Sequence, residues 1–295
     1  MADVKGLNKL RLRVQLAFSL LTNGYAAGFV KGKIYQGDLK VLCVPGLNCY
    51  SCPGALGACP IGSLQATLNS GDFKLPLYVT GFLFAFGALF GRFVCGWLCP
   101  FGLVQDLLYK IPFVKKAKNL PGDRMLRHLK YLILALFVIL LPLLVRDAVG
   151  LADPWFCKYI CPSGTLLGGW PLLSLNGSLR SAAGWLFAWK SLLLILIAAL
   201  SVAVYRPFCK YLCPLGALYG FFNSSAFYRF RVDEARCVHC GICRKACPMG
   251  VQIPQKPNSP ECIRCGICRK VCPQGAVITS FEKENGKGSE NGIHD

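Results

Sequence analysis

Long apolar runs alternate with basic and cysteine-rich segments over the first three quarters of the chain. A helix needs about 20 predominantly apolar residues to cross the hydrocarbon core of a bilayer. Four runs approach that length and predict spanning helices, at about 14–30, 75–94, 129–145 and 184–205. The first run is the weakest, because Thr22, Asn23 and Gly24 interrupt it.

Shorter apolar stretches follow several cysteine pairs, at 101–109, 165–173 and 215–222. They are too short to span a bilayer and predict re-entrant or interfacial helices. Non-helical backbone beside such helices is tolerated at membrane depth only where protein buries it. From about Phe230 the long apolar runs end and charged residues and cysteines become frequent, which predicts a domain boundary there.

The composition supports a membrane protein. The chain is 54% hydrophobic and 16% charged, yet it has a formal net charge of +19. An apolar and basic chain is typical of a membrane protein whose Lys and Arg residues lie in cytoplasmic loops. We expect no nucleic-acid partner, because the basic residues flank apolar runs and do not form one continuous face.

The distribution of charge predicts the orientation. The N-terminus, the 110–130 segment and the region after the fourth run are basic, which places both termini and residues 230–281 in the cytoplasm. Residues 31–74 and 146–183 then face outward, although four lysines in the first of these loops oppose the assignment. We therefore expect a multi-pass protein of the cell inner (cytoplasmic) membrane, in contact with lipid.

The C-terminal quarter carries two cysteine runs of the spacing Cys-x2-Cys-x2-Cys-x3-Cys-Pro. This is the run of bacterial two-cluster ferredoxins, in which the fourth cysteine ligates the other cluster. The spacing therefore predicts two crossed [4Fe–4S] ligand sets. One set is Cys237, Cys240, Cys243 and Cys272, and the other is Cys262, Cys265, Cys268 and Cys247. A structural zinc site is the alternative, but zinc does not require two complete runs.

A second motif, Cys-x3-Cys-Pro-x-Gly, recurs in the apolar part. Its copies begin at Cys95, Cys157 and Cys209, and a partial copy begins at Cys59. Proline suits the first position of a helix, so the cysteine before it lies at a helix N-terminus. The macrodipole and free N–H groups there favour a thiolate or an anionic cluster. The alternative is a set of buried, inert thiols.

Two cysteines per copy are half of a four-thiolate site, so the copies are expected to pair. Two copies follow the second and fourth apolar runs and fall at the cytoplasmic side. They predict one site, made of Cys95, Cys99, Cys209 and Cys213. Arg92 and Asp106 lie nearby in the sequence, either as an ordinary interfacial pair or as groups that tune the potential of this site or border a quinone pocket.

The remaining six cysteines of the apolar part lie in the predicted outer loops. They are Cys43, Cys49, Cys52, Cys59, Cys157 and Cys161. One interpretation is a second membrane cluster with two cysteines left over, which on the oxidising side could form a disulfide. A rival interpretation gives the first four their own cluster and leaves the last pair unexplained. The sequence does not choose between them.

Copies of Cys-x3-Cys-Pro at helix ends followed by a two-cluster run resemble the NapH/NosR-type membrane polyferredoxins, which include the YccM-like proteins. The resemblance extends from the second apolar run to Cys272. It implies electron transfer at or across the membrane, with an extracytoplasmic reductase or flavoprotein as partner. By resemblance, the sites that begin at Cys95 and Cys209 are the family's paired membrane motifs. The chain departs from the pattern in its outer cysteines and in having no flavin-binding domain.

The predicted fold is mainly α: an integral membrane helical domain (residues 1–229), a small α+β ferredoxin-like module (230–281) and a disordered tail (282–295). The predicted function is electron transfer from a cytoplasmic donor through the ferredoxin and membrane clusters to an extracytoplasmic acceptor. One alternative is a quinone-interacting subunit with all clusters on one side, and another is a non-catalytic redox sensor or anchor. A quinone or a partner-bound flavin would be a further cofactor. The chain is expected to be an electron-transfer subunit rather than a stand-alone catalyst.

Overall fold

The computed structural model describes residues 2–68, 74–112, 116–145, 153–181 and 183–282, and within them the chain is mainly helical. Residues 283–295 of the predicted disordered tail lie outside this part. The α-helices of this part begin with α1 (Ala2–Thr22), α2 (Ala26–Lys31), α3 (Pro60–Thr67), α4 (Lys74–Phe90), α5 (Phe93–Trp97), α6 (Pro100–Tyr109), α7 (Asp123–Ile133) and α8 (Leu141–Leu144). They continue with α9 (Trp155–Tyr159), α10 (Pro162–Gly164), α11 (Trp170–Leu175), α12 (Gly177–Ser181), α13 (Trp185–Ala203), α14 (Pro207–Tyr211) and α15 (Pro214–Phe221).

Two helices of the described residues are long and apolar enough to cross a membrane. One joins α7 and α8 through the π-helical stretch Leu134–Leu140 and runs over Asp123–Leu144, and the other is α13. The apolar part of α4, Pro76–Phe90, is shorter. Three of the four predicted apolar runs therefore form apolar helices, and two of these have full spanning length.

The first predicted run is divided in the structure. Helix α1 ends at Thr22, and α2 begins three residues after the break at Asn23. A cysteine-rich loop closes the break, because Leu56 N–H donates to the Thr22 carbonyl (2.9 Å) and Tyr25 N–H donates to the Gly54 carbonyl (3.1 Å). This loop thus supplies partners for backbone groups that a helix end leaves free.

The short apolar stretches after the cysteine pairs are helices, as predicted. Helices α6 and α15 each begin at the proline that follows a cysteine. The cysteine is the N-cap: Cys99 Sγ accepts from Gly102 N–H and Cys213 Sγ accepts from Gly216 N–H, both at 3.4 Å. The sequence therefore places these sulfurs at helix N-termini by the same local geometry.

The C-terminal region is closed by a short antiparallel sheet. Strand β1 (Phe230–Val232) pairs with β2 (Val277–Thr279) in the register Phe230 to Thr279. Helices α16 (Ile242–Ala246) and α17 (Ile267–Val271) lie between the strands, one in each cysteine run. The pairing brings the two ends of the region together, as expected for a module with its own closed fold.

An ion cluster fixes this module to the helical part. Arg92 donates to Glu261 Oε2 (3.0 Å) and to the Pro260 carbonyl (2.7 Å), and Lys130 donates to Glu261 Oε1. Burial opposes ionisation of Glu261, but Arg92 and Lys130 outweigh it and hold its pKa below the usual range. The carboxylate is therefore charged between two buried cations.

Backbone contacts extend this interface. Asn223 donates to the carbonyls of Ser259 (2.9 Å) and Cys262 (2.8 Å). A Cβ at Gly96 would lie 2.3 Å from the Ile263 carbonyl oxygen, so only glycine allows this approach. The second cysteine run thus packs directly on α5.

We predict that Glu261→Gln destabilises the full chain, because two buried cations lose their counter-charge. Breaking a buried pair costs about 3–5 kcal/mol, whereas an exposed pair contributes about 0–1 kcal/mol. The matched control is Glu282→Gln, whose partner Arg269 is exposed. The apparent melting temperature in detergent should fall with the first variant and stay near that of the native chain with the second. Equal effects would contradict the role of Glu261.

Candidate functional site

Four buried cysteines meet where the α4–α6 and α13–α15 segments pack together. They are Cys95, Cys99, Cys209 and Cys213, and we call them the inner site. Their thiols interact electrostatically with one another, with Cys213 facing each of the other three. The structure therefore brings together the set that the sequence predicted. Its two halves come from segments more than 100 residues apart.

Two buried arginines flank the inner site with matching geometry. Arg92 donates to the Cys209 carbonyl (2.7 Å), and Arg206 donates to the Cys95 carbonyl. Each arginine lies three residues before the cysteine of its own motif and reaches the opposite motif. Asp106 holds Arg206 through Nε–Oδ1 (2.7 Å) and Nη2–Oδ2 (2.5 Å) bonds. Two fixed positive charges therefore face the four sulfurs.

A glutamine links the two halves of the inner site. Gln105 Nε2 donates to Cys209 Sγ (3.1 Å), and its Oε1 accepts from Phe208 N–H (3.2 Å). The Leu47 N–H donates to the Cys99 thiol, so the N-terminal cysteine-rich loop also contacts this site. Sequence reasoning missed Gln105 and Arg206. The signals that could have found them are Cys-Pro-x-Gly-x2-Gln, which occurs twice, and an Arg-x2-Cys that opens a Cys-x3-Cys-Pro-x-Gly copy, which also occurs twice.

The two crossed sets of the ferredoxin-like module each surround a pocket. Cys237, Cys240, Cys243 and Cys272 line one pocket, which we call the distal site, and Cys240 is exposed. The other pocket is the proximal site, and its four cysteines are all buried: Cys247, Cys262, Cys265 and Cys268. The chain thus gathers the fourth cysteine of each run with the first three of the other.

The proximal site faces the inner site. Cys265 interacts electrostatically with Arg11 and Arg206. Arg11 in turn donates to Asp106 Oδ2 and to the Tyr205 hydroxyl, both at 2.9 Å. A network of buried cations and one carboxylate therefore lies between the two sites and contacts both.

Five of the six outer cysteines line a cavity of about 750 Å³. Four of them interact electrostatically, and we call these the outer site: Cys49, Cys59, Cys157 and Cys161. Cys43 also lines the cavity, but its thiol is hydrogen bonded to Ser63, and Cys52 is not part of the wall. All 18 cysteines are free thiols, so the structure contains no disulfide among those left over.

Tyr219 lies between the inner and outer sites. Its side chain is fully buried, and its hydroxyl donates to the Pro45 carbonyl (3.1 Å). The thiols of Cys59 and Cys43 on one side, and of Cys95 and Cys99 on the other, all interact with it electrostatically. The two sites are therefore neighbours, although the sequence places their motifs at opposite ends of the apolar helices.

The chemistry of these sets suits iron–sulfur clusters, which four cysteine thiolates hold. Burial raises the pKa of Cys59 to about 12 and that of Cys209 to about 11, so both remain thiols unless a bound cation stabilises the thiolate. Among the described residues, no group of His, Cys, Asp or Glu side chains is arranged to hold a single metal ion, whereas pockets open between the thiols.

Comparison with known families identifies the class. A 4Fe-4S binding domain model matches residues 57–78, 75–121 and 185–232, and a second model of the same description matches 230–252 and 258–278. No solved structure matches the chain. The matched regions are thus 4Fe-4S binding domains of the ferredoxin type.

Curated relatives narrow the family. An uncharacterized protein of Methanocaldococcus jannaschii is 33% identical over 57% of this chain and 63% of its own length. The ferredoxin-type protein NapH of Haemophilus influenzae is 31% identical over 55% of this chain and 50% of its own length. The putative electron transport protein YccM of Escherichia coli is 26% identical over 54% and 42%. The chain therefore belongs with the NapH-type polyferredoxins, as its motifs predicted, and the matches span 42–63% of the length of these relatives.

We predict that the crossed ligand sets are visible in spectra. Cys247→Ala should give the same EPR spectrum of the reduced full chain as Cys265→Ala, because both remove a proximal ligand. Cys272→Ala should match Cys240→Ala. Each variant should lose about four iron atoms per chain. If Cys247→Ala matched Cys240→Ala instead, each run would hold its own cluster and the crossing would be wrong.

Proposed function

We propose that the chain is a membrane-bound protein that passes electrons from a cytoplasmic donor to an extracytoplasmic acceptor. The distal, proximal, inner and outer sites would each hold one [4Fe–4S] cluster, which supplies one-electron redox chemistry. The contribution of the chain is to hold these sites in order and to bury the cysteines of the proximal and inner sites away from water.

The observation that supports this proposal is the continuous row of cysteine sites. Exposed Cys240 marks the solvent end, and the crossed runs join the distal site to the proximal site. The Ile263 carbonyl packs on Gly96 between the proximal and inner sites, and Tyr219 lies between the inner and outer sites. A hydrocarbon core is about 30 Å thick. Re-entrant loops that carry neighbouring sites into that depth would shorten each transfer.

The arrangement of helices supports a transmembrane path. In its second turn, helix α13 carries Lys190, which donates to the Cys157 carbonyl (3.0 Å), and the helix ends just before Arg206 of the inner site. With 19 residues, it is about 28 Å long. We propose that α1, α4, α7–α8 and α13 form the four passes, with residues 230–281 on the cytoplasmic side as the charge distribution predicts.

The relatives agree with an electron carrier that needs partners. Their printed names describe ferredoxin-type or electron transport proteins, among them a methylamine utilization protein of Methylobacillus flagellatus. For this chain we propose a cytoplasmic reductant that docks near Cys240 and an extracytoplasmic flavoprotein or reductase near the outer site. Any flavin would belong to that partner.

A lipophilic quinone is the second candidate for the acceptor. The cavity of the outer site continues to Leu172, Leu173 and Leu179, and its volume of about 750 Å³ lies in the range of small-molecule sites. Because this apolar cavity opens beside a proposed redox site, it favours quinone binding over a purely structural role for the cavity.

The test is electron transfer across sealed vesicles. Native protein should carry electrons from external dithionite to enclosed ferricyanide, since neither reagent crosses lipid readily. Cys99→Ala should lower this rate at least tenfold, because the inner site lies between the other sites. Its iron content should fall by only about four atoms from an expected total of about 16.

Protein-free vesicles give the background rate. A native chain that reduces added quinone in detergent but never the enclosed oxidant would establish the quinone alternative and overturn the transmembrane path. An unchanged rate in Cys99→Ala would also contradict the proposal.

A further inference from the structure

We infer that the outer site is a second copy of the inner site and that its cluster is held by Cys49, Cys59, Cys157 and Cys161, with Cys43 and Cys52 outside the ligand set. The inference rests on the proposed function, because it names the ligands of one of the proposed clusters. The family models match neither Cys49 nor the Cys157–Cys161 pair. It chooses between the two assignments that the sequence left open.

The first observation is a repeated glutamine bridge. Gln65 follows Cys59 by six residues, as Gln105 follows Cys99. Gln65 Nε2 donates to Cys157 Sγ (3.4 Å), and its Oε1 accepts from Phe156 N–H (2.9 Å). Gln105 makes the same two bonds to Cys209 and Phe208. Cys59 of the outer site is therefore the counterpart of Cys99 in the inner site, and Cys157 is the counterpart of Cys209.

The second observation is that, in both sites, cationic side chains donate to the backbone carbonyls at two equivalent positions. Lys190 donates to the Cys157 carbonyl (3.0 Å), as Arg92 does to that of Cys209 (2.7 Å). Lys40 donates to the Ala55 carbonyl (2.8 Å), as Arg206 does to the Cys95 carbonyl. Lysine thus occupies the place of arginine at both positions of the outer copy.

The same correspondence shows which thiol is missing. Cys95 lies four residues before Cys99, but Ala55 lies four residues before Cys59. Three of the four ligands therefore have counterparts, and the fourth must come from elsewhere in the loop. The candidates are Cys43, Cys49 and Cys52.

Cys49 is the candidate that faces the other three. A Cβ at Gly164 would lie 3.5 Å from Cys49 Sγ, and one at Gly62 would lie 3.7 Å from Cys157 Sγ. Both glycines follow the ligand cysteine and proline of their motifs, and their missing side chains leave room beside the sulfurs. Cys49 also interacts electrostatically with Cys59 and Cys161.

The other two cysteines lie differently. Cys52 is 1% exposed and is absent from the cavity wall, and its N–H donates to the Cys49 carbonyl (3.1 Å). Cys43 is hydrogen bonded through its thiol to Ser63 and lies on the side of Tyr219. The Cys52 thiol interacts electrostatically with Cys49, whereas Cys59, Cys157 and Cys161 interact both with Cys49 and with one another.

The test compares Cys49→Ala with Cys52→Ala, two changes three residues apart in one loop. Iron and acid-labile sulfide are measured per full chain, with EPR of the reduced protein. Cys49→Ala should lose about four iron and four sulfide atoms, and its spectrum should match that of Cys157→Ala. Cys52→Ala and Cys43→Ala should keep the native content. Signals of the distal and proximal sites should persist in every variant, which shows that the chain is folded.

The assignment would be overturned if Cys52→Ala or Cys43→Ala lost the cluster while Cys49→Ala kept it. It would also fall if none of these changes altered the iron content. In both cases a native chain with about 16 iron atoms would leave the proposed row of four sites standing. A native chain with only about eight iron atoms would instead reject the membrane clusters and the proposed function with them.

Discussion

Neutralisation of buried negative charge is the constraint on which this structure depends. A thiolate cluster buried away from water is stable only where positive groups or N–H donors face it. Arg92 and Arg206 are completely buried and donate to backbone carbonyls of the inner cysteines, so their charges are held in place beside the sulfurs. The carboxylates of Asp106 and Glu261 in turn fix the arginines.

The same groups connect the module to the helices. Glu261 belongs to the ferredoxin-like module, whereas Arg92 and Lys130 belong to the helical part. Arg11, from the first helix, joins the network through Asp106. Breaking the interface would leave several charges buried without partners, and that penalty explains why a small module with a two-stranded sheet is held firmly against the inner site.

The sequence predicted the parts of the site that depend on local spacing. Both ferredoxin runs and their crossing follow from cysteine spacing, and the inner set follows from the placement of two motif copies after the second and fourth apolar runs. The helices after Cys99 and Cys213 follow from the proline at the first helical position. The ligands of the outer site did not follow, because Cys49 is brought to Cys157 by loop folding that no spacing specifies. Lys130 counted only as a charge that sets orientation, but it is buried against Glu261.

The end of the first helix is a second feature that the hydropathy pattern did not predict. Hydropathy extended it across Asn23 and Gly24, yet the helix stops at Thr22 because loop residues 54–56 provide hydrogen-bond partners there. Further residues of that loop contact the inner site: the Pro45 carbonyl accepts from the Tyr219 hydroxyl, and the Leu47 N–H donates to the Cys99 thiol. The break in the helix and the contact between the inner and outer sites therefore have one cause. Four of the outer cysteines lie in this same loop, so the hydrogen bonds that close the helix break also help to hold the outer site beside the inner one.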